Sequence, residues 1–187
     1  MEIPKTSLSH PLQIAQVAAP GGGTIGITFC PGKRQDSAFS GVWRRDLKMD
    51  IAVIRSWQAE AVLTLVTATE LQNLHVQELG TCVQEDGMAW FHLPIVDVSI
   101  PAQSWEVLWA NARTTVHDIL ARQGRVVVHC KGGLGRAGTI AARILVERGV
   151  PAETAMAAVR AVRPGAIETH EQEDYVRSVV PMPKESL

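Results

Sequence analysis

The six residues RVVVHC, Arg125 to Cys130, constrain the fold more than any other stretch. They are too few and too β-branched to make a helix of their own, and helical signals bracket them. Upstream, PAQSWEVLWANARTTVHDILARQG opens on Pro101 and closes on Gly124, the usual start and stop of a helix. Downstream, GTIAARILVERG reads as a helix ended by Gly149. A strand that is entered and left through helices meets its sheet neighbours by crossovers, which makes them parallel. The alternation runs further back. AVLTLV (61–66) and MAWFHLPI (88–95) read as strands, the second stopped at Pro94 or just after it. WRRDLKMDIAVIRSWQA carries Leu47, Ile51 and Ile54 at helical spacing, and TATELQNLHVQELGTC reads as one or two short helices. PAETAMAAVRAVRPG and THEQEDYVRSVV read as two more helices. At the start, LQIAQVA and TIGITFC flank the turn signal APGGG and read as a hairpin, and PGKRQDSAFSG reads as loop. The expectation is an α/β fold: a mixed, mainly parallel central sheet flanked by helices, with an N-terminal hairpin and a helical C-terminal side. Residues 1–10 read as a loose arm, 11–181 as a single domain and 182–187 as a tail.

Composition narrows the function by exclusion. The 187 residues carry a formal net charge of −1, which gives no case for a nucleic-acid or membrane-surface partner. No apolar run approaches the roughly 18 residues of a membrane span. The opening MEIPKTSLSHPLQ lacks the apolar core of a secretion signal. The three cysteines, Cys30, Cys82 and Cys130, are too scattered for a disulfide framework or a zinc site, and the six histidines do not pair with other ligands at metal spacing. The chain therefore reads as a cytoplasmic, reduced protein with no cofactor and no metal, monomeric by default. In such a compartment a cysteine beside a histidine and an arginine is a candidate thiolate.

The glycine-rich bend after Cys130 has competing readings. Gly133, Gly135 and Gly138 spell G-x-G-x-x-G between strand and helix, a dinucleotide pattern. Against it, the bend comes late in the chain, and no second strand ending in an acidic residue follows about 20 positions on. The other reading is C-x5-R, from Cys130 through KGGLG to Arg136. A loop of that length between a strand end and a helix start can curl around a tetrahedral oxyanion. Its glycines allow the needed dihedrals, and its N–H groups and the helix dipole favour negative charge. The arginine adds a planar fork of donors, and the same donors stabilise a thiolate. A buried strand-end cysteine with an incidental arginine is the plain alternative. Sulfur-transfer loops also place a cysteine at a strand end but run about a residue shorter.

HCKGGLGR resembles the H-C-x5-R signature of cysteine-based protein phosphatases. ITFCPGK, HLPIVD, HCKGGLGR and GAIETHEQEDYV also stand in the order and spacing of the kinase-associated branch of the dual-specificity class, across most of residues 24–178. The resemblance implies that Cys130 attacks phosphorus, that Arg136 and the backbone of Lys131, Gly132, Gly133, Leu134 and Gly135 bind the phosphoryl group, and that His129 supports the loop. It implies Asp97 as general acid, with Asp86 and Asp118 as weaker rivals, and Gln172 as the residue that orients water. On residues alone, Asp97 reads equally as an ordinary loop aspartate, Gln172 as a solvated glutamine and His129 as a core histidine. One position departs: most relatives carry Ser or Thr after the loop arginine, and here it is Ala137, as in regenerating-liver phosphatases. Slow breakdown of the intermediate is the expectation, unless Thr139 compensates.

No segment corresponds to the long recognition loop of tyrosine-specific relatives, so a shallow pocket taking phosphotyrosine and phosphoserine or phosphothreonine on proteins is expected. Lys131 keeps an inositol-phosphate or lipid substrate as the second reading, and a slow phosphoprotein-binding module is a third. Arg160 and Arg163 read either as substrate contacts or as a solvated face.

Overall fold

The computed structural model describes residues 3–38 and 40–183. Within them, seven strands and seven helices follow one another as β1 (Ala15–Ala18), β2 (Thr24–Phe29), β3 (Arg34–Ala38), β4 (Gly41–Arg44), α1 (Leu47–Ser56), β5 (Ala61–Thr64), α2 (Ala68–Asn73), α3 (Leu79–Glu85), β6 (Ala89–His92), α4 (Trp105–Ala121), β7 (Arg125–Cys130), α5 (Gly135–Glu147), α6 (Ala152–Val162) and α7 (His170–Ser178). The central sheet runs β1-β2-β7-β5-β6. Only the β1–β2 pair is antiparallel, so the mixed, mainly parallel sheet and its opening hairpin are as expected.

Apolar side chains fill both faces of the sheet. On one, Ile25, Ile27, Leu63, Val126 and Val128 pack with α4 and with α5, α6 and α7. On the other, Val62 and Val127 pack with Ile51 and Ile54 of α1, Leu71 of α2, and Leu79 and Val83 of α3. Strand β7 sits at the middle with both faces covered, which is why it reads as an unbroken apolar run. Helix α5 leaves its end and is buried along every residue, Gly135 to Glu147. Its charged residues Arg143 and Glu147 pair with each other, Nε to Oε1 at 3.0 Å, and Glu147 also takes the Trp109 indole and His117 Nε2 at 2.9 and 2.8 Å.

Several boundaries differ from the sequence reading. PGKRQDSAFSG is not all loop: β3 pairs antiparallel with β4, turning at Gly41, whose φ is 98°. Nothing in Arg34 to Ala38 alternates apolar with polar, because this ribbon stands outside the main sheet. It is anchored by Trp43, whose ring lies 5.3 Å from that of Phe29. Residues 5–10 of the expected loose arm are tied down: Lys5 bridges to Trp43, and its N–H and C=O bond Val42 and Arg44. Residues 1 and 2 lie outside the described residues. Helix α4 begins at Trp105 rather than Pro101, since Pro101 to Ser104 form a turn that closes on the Trp105 N–H from Ala102. Helix α5 begins at Gly135, inside the glycine bend rather than after it. Of the expected tail, Met182 donates to Glu147 O at 2.8 Å, and 184–187 lie outside the described residues.

Beneath the ribbon, Arg45 and Asp50 form a bidentate pair at 2.7 and 2.8 Å, with side chains 0% and 1% exposed. Asp50 also accepts the Gly32 N–H at 2.8 Å, and so fixes the segment that carries Lys33.

Candidate active site

Parallel strands end together, and ligands of open α/β sheets sit beyond their carboxyl ends. Here β7 ends at Cys130, 3% exposed, with the KGGL bend continuing into α5. Gly133 adopts φ 69°, and a Cβ there would meet the Thr28 carbonyl carbon at 2.5 Å, so only glycine fits.

The bend is held from outside by its carbonyls. Lys131 O accepts from Lys33 Nζ at 3.3 Å and from the Cys30 N–H at 3.4 Å. Gly132 O and Gly133 O accept from the Arg163 guanidinium at 3.1 and 2.9 Å. Leu134 O accepts from the N–H groups of Gly138 and Ile167, and Gly135 O from the Thr139 hydroxyl at 2.7 Å. Every carbonyl from 131 to 135 is thus engaged. Among the described residues, no N–H from 131 to 136 donates to a protein acceptor. Carbonyls pinned outward and free amides at a helix start form an anion-binding concavity.

Arg136 is 2% exposed. Its two terminal nitrogens bond the Glu70 carboxylate at 2.7 and 2.8 Å, and one also donates to Ile95 O at 2.9 Å. Asp97 Oδ1 lies 2.8 Å from Nη2, while the buried Nε has no partner. Burial opposes the arginine's charge, but the Glu70 bonds and the fields of Cys130 and Asp97 outweigh it and raise its pKa. Burial also pushes Glu70 up, and the bonds from Arg136 and Thr67 more than offset this and hold it below the usual carboxylate range.

Of the expected site residues, Asp97 stands at the mouth on the Arg136 fork. Asp86 lies 3.8 Å from Arg55, and Asp118 lies within α4 beside the C-terminal segment, both away from the bend. His129 is fully buried, with Nε2 2.8 Å from Thr64 Oγ1, and burial pushes its pKa down to about 3. Gln172 is not solvated: it is 0% exposed and is the third residue of α7 in a capping box with Thr169. Its Oε1 accepts from the Glu168 and Thr169 N–H groups, its Nε2 donates to Ser99 O at 3.3 Å, and its amide packs against Gly135. Thr139 spends its hydroxyl on the helix carbonyl four residues back, so that group is committed. Arg160 and Arg163 are not a solvated face either. Arg163 clamps the bend, and Arg160 bonds Ala166 O, Ile167 O and Glu173.

Sequence reasoning missed Glu70 and Lys33. Thr67-x-x-Glu70 is a legible capping box, and the structure forms it, but its second use as the arginine's partner joins residues 66 apart. Lys33 is 4% exposed, with its ammonium 4.4 and 4.8 Å from the ring centres of Trp43 and Phe29. The rim on either side of Asp97 is apolar: Val96 and Val98 are 67% and 61% exposed, and Val98 takes φ 59°, rare for a β-branched residue.

Among the described residues, no helix is long and apolar enough to cross a membrane. The family described as "Polymorphic toxin system, DSP-PTPase phosphatase" matches residues 44–150, from the end of the ribbon through α5. Cyclin-dependent kinase inhibitor 3 of Rattus norvegicus is 30% identical over 138 residues, covering 71% of this chain and 63% of the relative. The chain thus spans less than two thirds of the length of that curated relative. Among solved structures, kinase associated phosphatase with its catalytic-site cysteine changed to serine superposes with a TM-score of 0.77, covering 89% of this chain and 92% of that one. At 24% identity this likeness shows the fold. Tk-PTP in its active form matches with a TM-score of 0.64 at 25% identity, over 88% of this chain and 95% of that one. With the Cys130–Arg136 bend and Asp97 both inside the matched span, the chain belongs to the DSP-PTPase phosphatase family.

Proposed function

We propose that this chain hydrolyses phosphomonoesters on proteins through a cysteinyl-phosphate intermediate. The observation that carries the reading is the outward engagement of all five carbonyls from 131 to 135, which turns the amides toward the space above Cys130. A phosphoryl dianion fits that cup and the partnerless Nε of Arg136. Asp97 rests on the guanidinium until the phosphate takes its place, and then, in its protonated form, faces the leaving oxygen. Cys130 Sγ attacks phosphorus, the P–O bond to the substrate breaks, and the Asp97 proton goes to that oxygen. Water then breaks the S–P bond, returning a proton to Asp97 and releasing inorganic phosphate and the thiolate. The Gln172 amide has a second N–H beside the one given to Ser99, suited to holding that water against Gly135.

The apolar rim of Val96 and Val98 favours a phosphorylated polypeptide over a highly charged inositol phosphate. The test is turnover of para-nitrophenyl phosphate, phosphopeptides and inositol phosphates by wild type, Cys130→Ser and Asp97→Ala. Loss of turnover in Cys130→Ser, and a deficit in Asp97→Ala that grows with the basicity of the leaving group, are the expected results. Undiminished turnover by Cys130→Ser would refute the assignment.

A further inference from the structure

Among the described residues, five that are not glycine hold a left-handed φ: Gln58, His75, Val98, Gln123 and Ile167. Gln58, His75 and Gln123 each follow the C-cap of a helix, where that conformation is an ordinary way to end one. Ile167 is buried, so the packing of its side chain offsets the backbone cost. Val98 has neither account: it follows no helix, and its side chain is exposed. The turn itself has a purpose. The Val98 N–H donates to Asp97 Oδ1 at 3.1 Å, the Ser99 N–H donates to Val96 O at 3.1 Å, and the same Asp97 oxygen meets Arg136. Glycine or asparagine would make that turn with less strain, because a side chain branched at Cβ crowds the backbone most at positive φ. The backbone therefore explains the conformation of residue 98 and not its identity.

Val98 does not stand alone. Ten large apolar side chains are exposed among the described residues, and five of them, Val96, Val98, Ile100, Val107 and Leu108, fall within residues 96–108. Apolar exposure is thus concentrated in the stretch that carries Asp97 rather than scattered singly over the surface. Residues 96–100 include no cation, so this rim has nothing to offer an anionic headgroup. We propose that Val98 is a specificity-determining residue: with Val96, it takes the apolar side chains that flank the phosphorylated residue of a polypeptide substrate. The proposal rests on the reading of Cys130 as the nucleophile and deepens it. A phosphoryl group seated in the cup turns its ester oxygen to Asp97, so the substrate chain on either side of the phosphorylated residue lies over the two residues beside Asp97. The spacings agree: Val96 and Val98 are two residues apart, as are the neighbours of the phosphorylated residue, and each pair spans at most about 7 Å.

The test compares kcat/KM for two phosphothreonine peptides, and for their phosphotyrosine counterparts, that differ only in leucine or serine at both positions next to the phosphorylated residue. The ratio within one variant cancels any general change in turnover. Wild type should prefer the leucine-flanked peptides about ten-fold, as burial of apolar side chains at a half-open rim implies, and the preference should lie in KM because the contact is equal in ground and transition states. Val98→Asn should cut the ratio to about three-fold, the share left to Val96, while Val98→Leu should retain it. Val98→Asn should also raise the melting temperature by about 2–4 °C, since asparagine tolerates the left-handed region. Equal use of the two peptides by wild type, an undiminished ratio in Val98→Asn, or a lower melting temperature for that variant would each overturn the proposal. Without a peptide preference, binding to phosphatidylcholine vesicles or self-association that Val98→Asn abolishes would assign the stretch to a lipid surface or a second copy of the chain, and overturn it too. If Cys130→Ser keeps turnover, the nucleophile reading fails and the proposal with it; if Cys130→Ser is inert and the wild-type ratio is near one, the proposal alone fails.

Discussion

Replacing Asp50 with asparagine tests how far the active site depends on a charge that no substrate touches. Asp50 receives three N–H groups, two from Arg45 and one from Gly32, all at 2.7 to 2.8 Å. Asparagine keeps the shape but presents an NH2 to the guanidinium and strands a positive charge 0% exposed between Phe29 and Trp43. Breaking one side of a buried pair costs about 3–5 kcal/mol. For a chain of this size each kcal/mol lowers the melting temperature by about 2–4 °C, so the fall should be about 6–20 °C. Loss of the Gly32 bond also frees the segment that brings Lys33 to the Lys131 carbonyl, so turnover measured well below melting should fall too. Scanning calorimetry and para-nitrophenyl phosphate hydrolysis at 20 °C read the two effects. Replacing both partners, as Arg45→Met with Asp50→Leu, should recover much of the stability, since no uncompensated charge remains. A melting temperature for Asp50→Asn within 2 °C of wild type would refute the reasoning.

Further outcomes concern the bend itself. Burial lowers the Lys33 ammonium to about 8. Its folded value lies below the unfolded one, so its charge opposes folding at neutral pH. Wild type should therefore gain stability relative to Lys33→Met as pH rises from about 8 to about 10.5 in denaturation titrations. Gly133→Ala should abolish turnover and lower the melting temperature, because its Cβ meets backbone at 2.5 Å; an alanine variant with normal kinetics would contradict the left-handed φ of 69° at this position. Stopped-flow hydrolysis by wild type should show a burst followed by slow release, since Ala137 offers sulfur no donor and the Thr139 hydroxyl is committed. Ala137→Ser should shrink the burst and raise steady turnover about ten-fold, the worth of one good hydrogen bond.

What the sequence reveals here depends on whether the interaction is local. Strand β7 is legible because both its faces are apolar, and α5 because a glycine closes it. The cysteine, the arginine and the bend between them are contiguous, so their chemistry can be read directly. Strand β3 is hidden because a ribbon outside the main sheet needs no apolar alternation. Glu70 and Thr64 are hidden for a different reason: each looks locally complete, one as a helix cap and the other as a strand residue. Their partners, Arg136 and His129, lie 66 and 65 residues away, the first met by packing of α2 beside the start of α5 and the second by sheet register. Arg163 shows the same limit, since only the folded chain turns a helix-end arginine onto the backbone of Gly132 and Gly133.

Helix α5 behaves as a shaft with a load at each end. At 13 residues it is about 20 Å long and encased throughout, so it transmits displacement rather than absorbing it. One end orients the amides of the bend. The other is gripped by His117 and Trp109 and, through Glu147, by the backbone of Met182. A fusion placed just after that residue should load the far end of the shaft, and the anion cup is where the load should arrive.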